Sequence, residues 1–216
     1  MKLQLYMLTA GLLVAGLANA QIKKGDVILG GNLGFNTSTQ KSSQSSDETK
    51  QNGVTIAPSI GWAIKDNLTM GGYLSFIHSN FDSPNGGSSQ TTDGYGLGYF
   101  IRKYKMLGSG FALFAEGNLG GSYNHYKNTP SAGSGSAETD SKTYGVNLGF
   151  YPGIAYFISR HVMLETGFQN LVYANYGHTK NTATGAPGYT SSSGFAIGTG
   201  LSNQLQNFTV GLKWLL

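Results

Sequence analysis

Between Val54 and Phe76 the chain alternates apolar and small or polar residues with a period of two. Val54, Ile56, Pro58, Ile60, Trp62 and Ile64 alternate with Thr55, Ala57, Ser59, Gly61 and Ala63, then Lys65-Asp66-Asn67 intervenes. Leu68, Met70, Leu74 and Phe76 then alternate with Thr69, Gly71, Tyr73 and Ser75. Such a pattern belongs to a strand with one apolar face, and two strands joined by so short a turn pair antiparallel. Periodicity defines a face without saying whether a core or lipid touches it. The rest of the chain has to decide that.

The same alternation recurs along the sequence. Strands are expected at Asp26 to Asn36, at Gly94 to Lys103, from Phe111 to about Tyr123, at Thr143 to Ile158, from Val162 to Gln169 and at Asn207 to Leu216. With the opening hairpin this makes eight. Turns near residues 65, 106 and 160 are short, whereas the stretches 37–53, 78–93, 126–142 and 176–206 are rich in Ser, Thr, Asn and Gly and are expected to be long solvated loops. All the long loops therefore fall at one end of the sheet. Pro58 and Pro152 sit within strands and predict a bulge or local opening, because proline cannot donate to a ladder.

Charge decides the direction of the apolar face. Only 11% of the 216 residues are charged, against roughly 25% in ordinary soluble domains. Four charged residues fall clearly within expected strands, Arg102, Glu116, Glu165 and Lys213, and all four share the parity of the small, polar positions. A soluble sheet would cover its polar face with many Lys and Glu. A polar face of Gly, Ser, Thr and Asn suits a narrow enclosed interior instead, which leaves lipid for the apolar face. Aromatic placement agrees: Trp62, Tyr99, Tyr104, Tyr156 and Trp214 lie near the short turns, and Phe35, Phe76, Tyr95, Tyr123 and Tyr173 near the long loops. Two aromatic girdles flanking an apolar band mark the two interfaces of a membrane barrel.

The ends and the composition restrict the class further. Residues 1–20 have a basic start, an apolar stretch and Ala18-Asn19-Ala20 ahead of Gln21, the form of a secretory signal peptide. The barrel is then expected to span residues 21–216. Cysteine is absent, which removes thiol chemistry and disulfides, and a formal charge of +4 is too small to argue for nucleic acid.

These residues resemble the small eight-stranded outer-membrane barrels of OmpA and OmpX type, and the porin-family-like outer-membrane barrels of Bacteroidetes. The resemblance is carried by Lys24-Gly-Asp before a glycine-rich strand, by Pro58-Ser-Ile-Gly-Trp-Ala-Ile-Lys-Asp-Asn-Leu68 and by Phe208-Thr-Val-Gly-Leu-Lys-Trp-Leu-Leu216. It implies an eight-stranded antiparallel up-and-down transmembrane β-barrel in the bacterial outer membrane. It also implies a monomer whose partners are membrane lipid and lipopolysaccharide, with the barrel assembly machinery and periplasmic chaperones during biogenesis.

Eight strands enclose a lumen that side chains can fill. Arg102, Glu116, Glu165 and Lys213, near the short-turn end, are expected to pair there as a salt-bridged plug, since lone charges in such a space are costly. The interfacial aromatics are Trp62, Tyr99, Tyr156 and Trp214 on one side and Phe35, Phe76 and Tyr123 on the other. His78, His125, His161 and His178 invite an acyl-transfer hypothesis, but none begins a His-x-Ser sequence at a strand end, and His161 belongs to a short turn. No catalytic, metal-binding or cofactor residue is therefore assigned. The expected role is structural or surface-directed and non-enzymatic, with a small-solute porin as the alternative and a soluble lipocalin-like carrier as the third.

Overall fold

A computed structural model describes residues 21–41, 48–83, 88–108, 110–130, 137–168, 170–185, 187–199 and 208–216. The expected signal peptide and residues 84–87 and 131–136 of the expected loops lie outside these residues. Ten strand segments follow one another: β1 (Val27–Lys41), β2 (Glu48–Lys65), β3 (Leu68–Ser83), β4 (Ser88–Gly108), β5 (Phe111–Pro130), β6 (Thr139–Phe157), β7 (Val162–Phe168), β8 (Val172–Ala183), β9 (Thr190–Thr199) and β10 (Phe208–Leu215). Every pairing is antiparallel, and β1 to β7 with β10 close into a ring of eight, while β8 and β9 extend from β6.

Register fixes the shape of the ring. From Leu33 the partners run through Ile56, Phe76, Tyr95 and Tyr123 to Tyr144 of β6. In the other direction they run through Val210 and Thr166 to Ile154 of the same strand, ten residues away. With a rise of about 3.3 Å per residue and strands about 4.8 Å apart, that stagger tilts the strands by about 40°.

Burial is inverted relative to a soluble protein. Leu33, Leu97, Tyr99, Leu148 and Trp214 are exposed, Tyr99 to 72%, whereas Arg102, Glu116, Glu165 and Lys213 are all buried. The apolar parity faces outward and the polar parity fills the lumen. Ile28, the one large apolar residue on the polar parity of β1, packs inside with Ile22, Ala63, Phe157, Met163 and Leu215 as an apolar floor at the short-turn end. The N-terminal segment is fastened across that end: the Asn67 amide donates to Ile22 O at 2.9 Å, Gly25 N to Ala63 O at 2.8 Å and Lys24 N to the Asp66 carboxylate at 2.9 Å.

The expected long loops are a correction. β1 runs to Lys41, β3 to Ser83, β5 to Pro130, and β8 with β9 occupies much of 176–206. Over residues 37–41, 78–83 and 126–130 polar side chains predominate on both faces, so period two fades from the sequence, yet side chains still pair across strands: Thr37 with Asn52, Thr91 with Asn80 and Thr143 with Thr179 at 2.9–3.0 Å. The strand expected from Val162 is present as β7, and a further strand, β8, follows it after a break. Asn170 has a left-handed φ of 52°, and β6 changes partner from β7 to β8 with a two-residue shift in register. Tyr151 and Pro152 lie opposite that break. At Pro58 the β2–β3 ladder opens without a shift, since Ile56–Phe76 and Ser59–Tyr73 keep one register on either side of it.

Candidate functional site

The lumen above the apolar floor holds one charged cluster, drawn from four strands. Arg102 of β4 and Glu116 of β5 are direct cross-strand partners. Arg102 Nε donates to Glu116 Oε2 at 2.8 Å, and its Nη1 is ion-paired with Glu165 Oε2 of β7. Lys213 of β10 reaches Glu165 Oε1 at 3.4 Å and donates to Ser59 Oγ of β2 at 2.8 Å. The four residues that sequence parity singled out thus form one chain of contacts, with two cations and two anions. Their balance matters because an unpaired charge in a closed space of low dielectric costs several kcal/mol.

Aromatic rings complete the plug. The Arg102 guanidinium lies 4.2 Å from the Phe114 ring centroid and within 5.8 Å of those of Phe100, Tyr104 and Tyr151. Its Nη1 also donates to Tyr104 Oη at 3.3 Å, and the Tyr151 hydroxyl lies 2.9 Å from Thr209 Oγ1. A cation set against ring faces while its N–H groups are taken by carboxylates has its donors satisfied and its plane fixed. Between Lys213, Arg102, Ser59 and Thr69 remains a cavity of about 10 Å³, room for about one water. Farther up the lumen Tyr73 leans over Gly98, where an added Cβ would lie 2.6 Å from its ring and from Leu119 O.

Tyr104 was expected at an interface and is instead inside, 3% exposed, because it shares the parity of Arg102 two residues away. Tyr173 likewise lies on the inward parity, against Gly198. Phe114, Tyr151 and Ser59 are members of the plug that charge alone does not reveal, although parity with Glu116 identifies the first. Ile22 has no sequence signal, since it precedes the first strand. Of the expected interfacial aromatics, Phe35, Phe76, Trp62, Tyr99 and Trp214 are exposed on the outward face. Tyr156 is half-buried against Phe111 with ring centroids 4.6 Å apart, and Tyr123 is half-buried against Tyr144 at 5.1 Å.

Three histidines stand on the outward face beyond the aromatic row, each bonded to a residue of the next strand. His78 Nδ1 meets Asp93 Oδ1 and His125 Nε2 meets Asp140 Oδ2, both at 2.7 Å, and His178 Nδ1 lies 2.9 Å from Ser193 Oγ. The last pair joins a hydroxyl to an imidazole, which adjacency along one strand could not predict. No carboxylate among the described residues bonds the other ring nitrogen of His178, so the orienting member of an acyl-transfer triad is not in place. No group of three or more potential metal ligands occurs among the described residues.

A family model described as the autotransporter beta-domain matches residues 29–151. No curated protein sequence matches the chain. Among solved structures, a major outer membrane protein from Thermus thermophilus is similar with 9% identity and a TM-score of 0.48, over 89% of this chain and 99% of that one. The translocator domain of autotransporter NalP from Neisseria meningitidis has 15% identity and a TM-score of 0.42, over 99% of this chain and 93% of that one. The beta domain of the Bordetella autotransporter Brka has 12% identity and a TM-score of 0.33, over 89% and 99%.

Proposed function

Since the chain belongs to the autotransporter beta-domain family, we infer that it is an outer-membrane β-barrel with a closed lumen and a structural or surface-interaction role. The observation that carries this reading is the plug. Arg102, Glu116, Glu165 and Lys213 are buried together above a floor of Ile22, Ile28, Phe157, Met163 and Leu215, so two different kinds of seal lie in series. Charge pairing resists the passage of apolar groups, and the floor resists water and ions. Neither layer presents a nucleophile with a base and an orienting acid, which favours a non-enzymatic role.

Within this reading the barrel is a monomer of the small eight-stranded type that OmpA and OmpX represent. Its outward band takes membrane lipid as its first partner, and the barrel assembly machinery and periplasmic chaperones serve its insertion. The long hairpins are the surface-directed part, carrying exposed polar side chains away from the apolar band. Incubation of the folded barrel with labelled phospholipid or lipid A is expected to release no acyl product.

The decisive experiment is single-channel recording of the purified barrel in planar bilayers. A closed lumen gives no unitary current steps at moderate voltage. Regular steps from the wild-type protein would defeat the closed-lumen reading in favour of a small-solute porin. Family membership supports a second reading, a translocator for an extracellular segment, and a pore that opened in wild-type protein would favour that reading as well.

A further inference from the structure

Lys142 of β6 and Lys180 of β8 stand directly opposite one another, and His125 of β5 is the partner of Lys142 on its other side. Both lysines are exposed, and they share the parity of the outward apolar residues. Like charges at directly opposed positions repel. No carboxylate pairs with either lysine among the described residues: Asp140 is taken by His125 at 2.7 Å and Glu138 by Lys127 at 2.8 Å. Lys180 Nζ lies 3.9 Å from the Tyr189 ring centroid, a contact that holds the ammonium without neutralising it.

The same two strands continue toward the short turns as an outward apolar track. Below the lysines come Tyr144 beside His178, Val146 beside Tyr176, Leu148 beside Ala174 and Phe150 beside Val172. Tyr144, Val146, Leu148 and Tyr176 are each more than half exposed. Two cations with no carboxylate bonded to them among the described residues therefore cap a strip suited to hydrocarbon. We propose that this strip and its lysine pair are the seat of a phosphorylated lipid, with one phosphate bracketed by Lys142 and Lys180 and the acyl chains lying along β6 and β8.

Charge complementarity selects the head group, because two ammonium groups on adjacent strands can converge on one phosphate. The track below selects a lipid over free phosphate, since a small anion would leave it unused. The inference rests on the outer-membrane reading, which places the outward face in lipid.

The test is native mass spectrometry of the full barrel released from detergent, with bis-phosphorylated lipid A as the probe. The comparison proteins are Lys142→Gln/Lys180→Gln and, as a charge-matched control, Lys103→Gln/Lys105→Gln, whose lysines are exposed near the short turns. Lipid A is expected to stay bound to wild type and control, and to bind the Lys142/Lys180 variant about tenfold more weakly. Equal binding by all three proteins would overturn the proposal, as would equal binding of a dephosphorylated lipid A or its displacement by inorganic phosphate. Heat-modifiable gel migration is read on every sample. Its absence in wild type defeats the membrane-barrel reading, whereas its presence with unchanged binding defeats the lipid seat alone. If the double variant does not migrate as folded, Lys142→Gln alone is measured and must also weaken binding.

Discussion

Near the short turns, β4 and β5 turn Arg102, Tyr104, Phe114 and Glu116 inward, all buried and all in contact with a partner. Toward their tips the same two strands carry Gln90, Thr92, Tyr126 and Asn128 on that parity, none of them fully buried. The backbone ladder keeps one register through both regions, from Ser88–Pro130 to Met106–Ala112. Pairing alone thus extends a sheet, but it does not make an interior. The lower region is held by side chains that meet across the lumen, and the upper by contacts between adjacent strands, so removal of one side chain costs far more below than above.

The largest break in that contrast is Arg102→Ala, which leaves Glu116 and Glu165 facing each other without their shared cation. Removing one member of a buried ion pair costs about 3–5 kcal/mol, and urea unfolding of the barrel in lipid vesicles is expected to read a loss of that size. An undiminished midpoint would mean the plug is ornamental. Next comes Leu97→Arg, at an outward position 61% exposed. A charge near the middle of the lipid band costs about 2–4 kcal/mol, while Thr91→Arg on the upper part of the same outward parity should change the midpoint little. Equal effects at the two sites would place lipid over the whole length of β4.

Gly98→Ala puts a methyl group where Tyr73 and Leu119 O already stand. Overpacking of this kind costs about 1–3 kcal/mol, and restoring space with Gly98→Ala/Tyr73→Phe is not expected to rescue it fully, because the backbone oxygen remains. The smallest effect is at the tips: His125→Ala removes a half-buried pair with Asp140 and should shift stability by less than about 1 kcal/mol. Hydrogen exchange sharpens the same comparison by rate, with amides of β9 opening first and those of β4 and β5 beside the plug last.

How much of this could be read in the sequence depended on whether a face was marked. Arg102, Glu116, Glu165 and Lys213 were legible because charge is rare and their parity is unambiguous. Tyr104 stands near a turn, which suggests an interface, but its parity with Arg102 puts it inside. The extent of β1, β3 and β5 is illegible for a different reason: with water on both faces of their tips, Ser, Thr and Asn satisfy strand and loop alike. The break at Asn170 depends on one left-handed residue opposite Pro152, and proline announces a missing donor without saying how the neighbouring strand will respond. Ile22 lies outside every periodic segment and finds its place only when the ring closes.

That closure has a consequence for the order of assembly. Glu165 depends on Lys213, which lies on β10, the last strand in the chain, and Lys213 also donates to Ser59 of β2. Until β10 docks, the cluster contains one cation and two carboxylates, a net anion. The final strand therefore does more than seal an edge: it brings the interior to neutrality, so a barrel that lacks it is electrically incomplete as well as open. The charge inside the lumen works as a completion signal, balanced only when β10 has docked against β7.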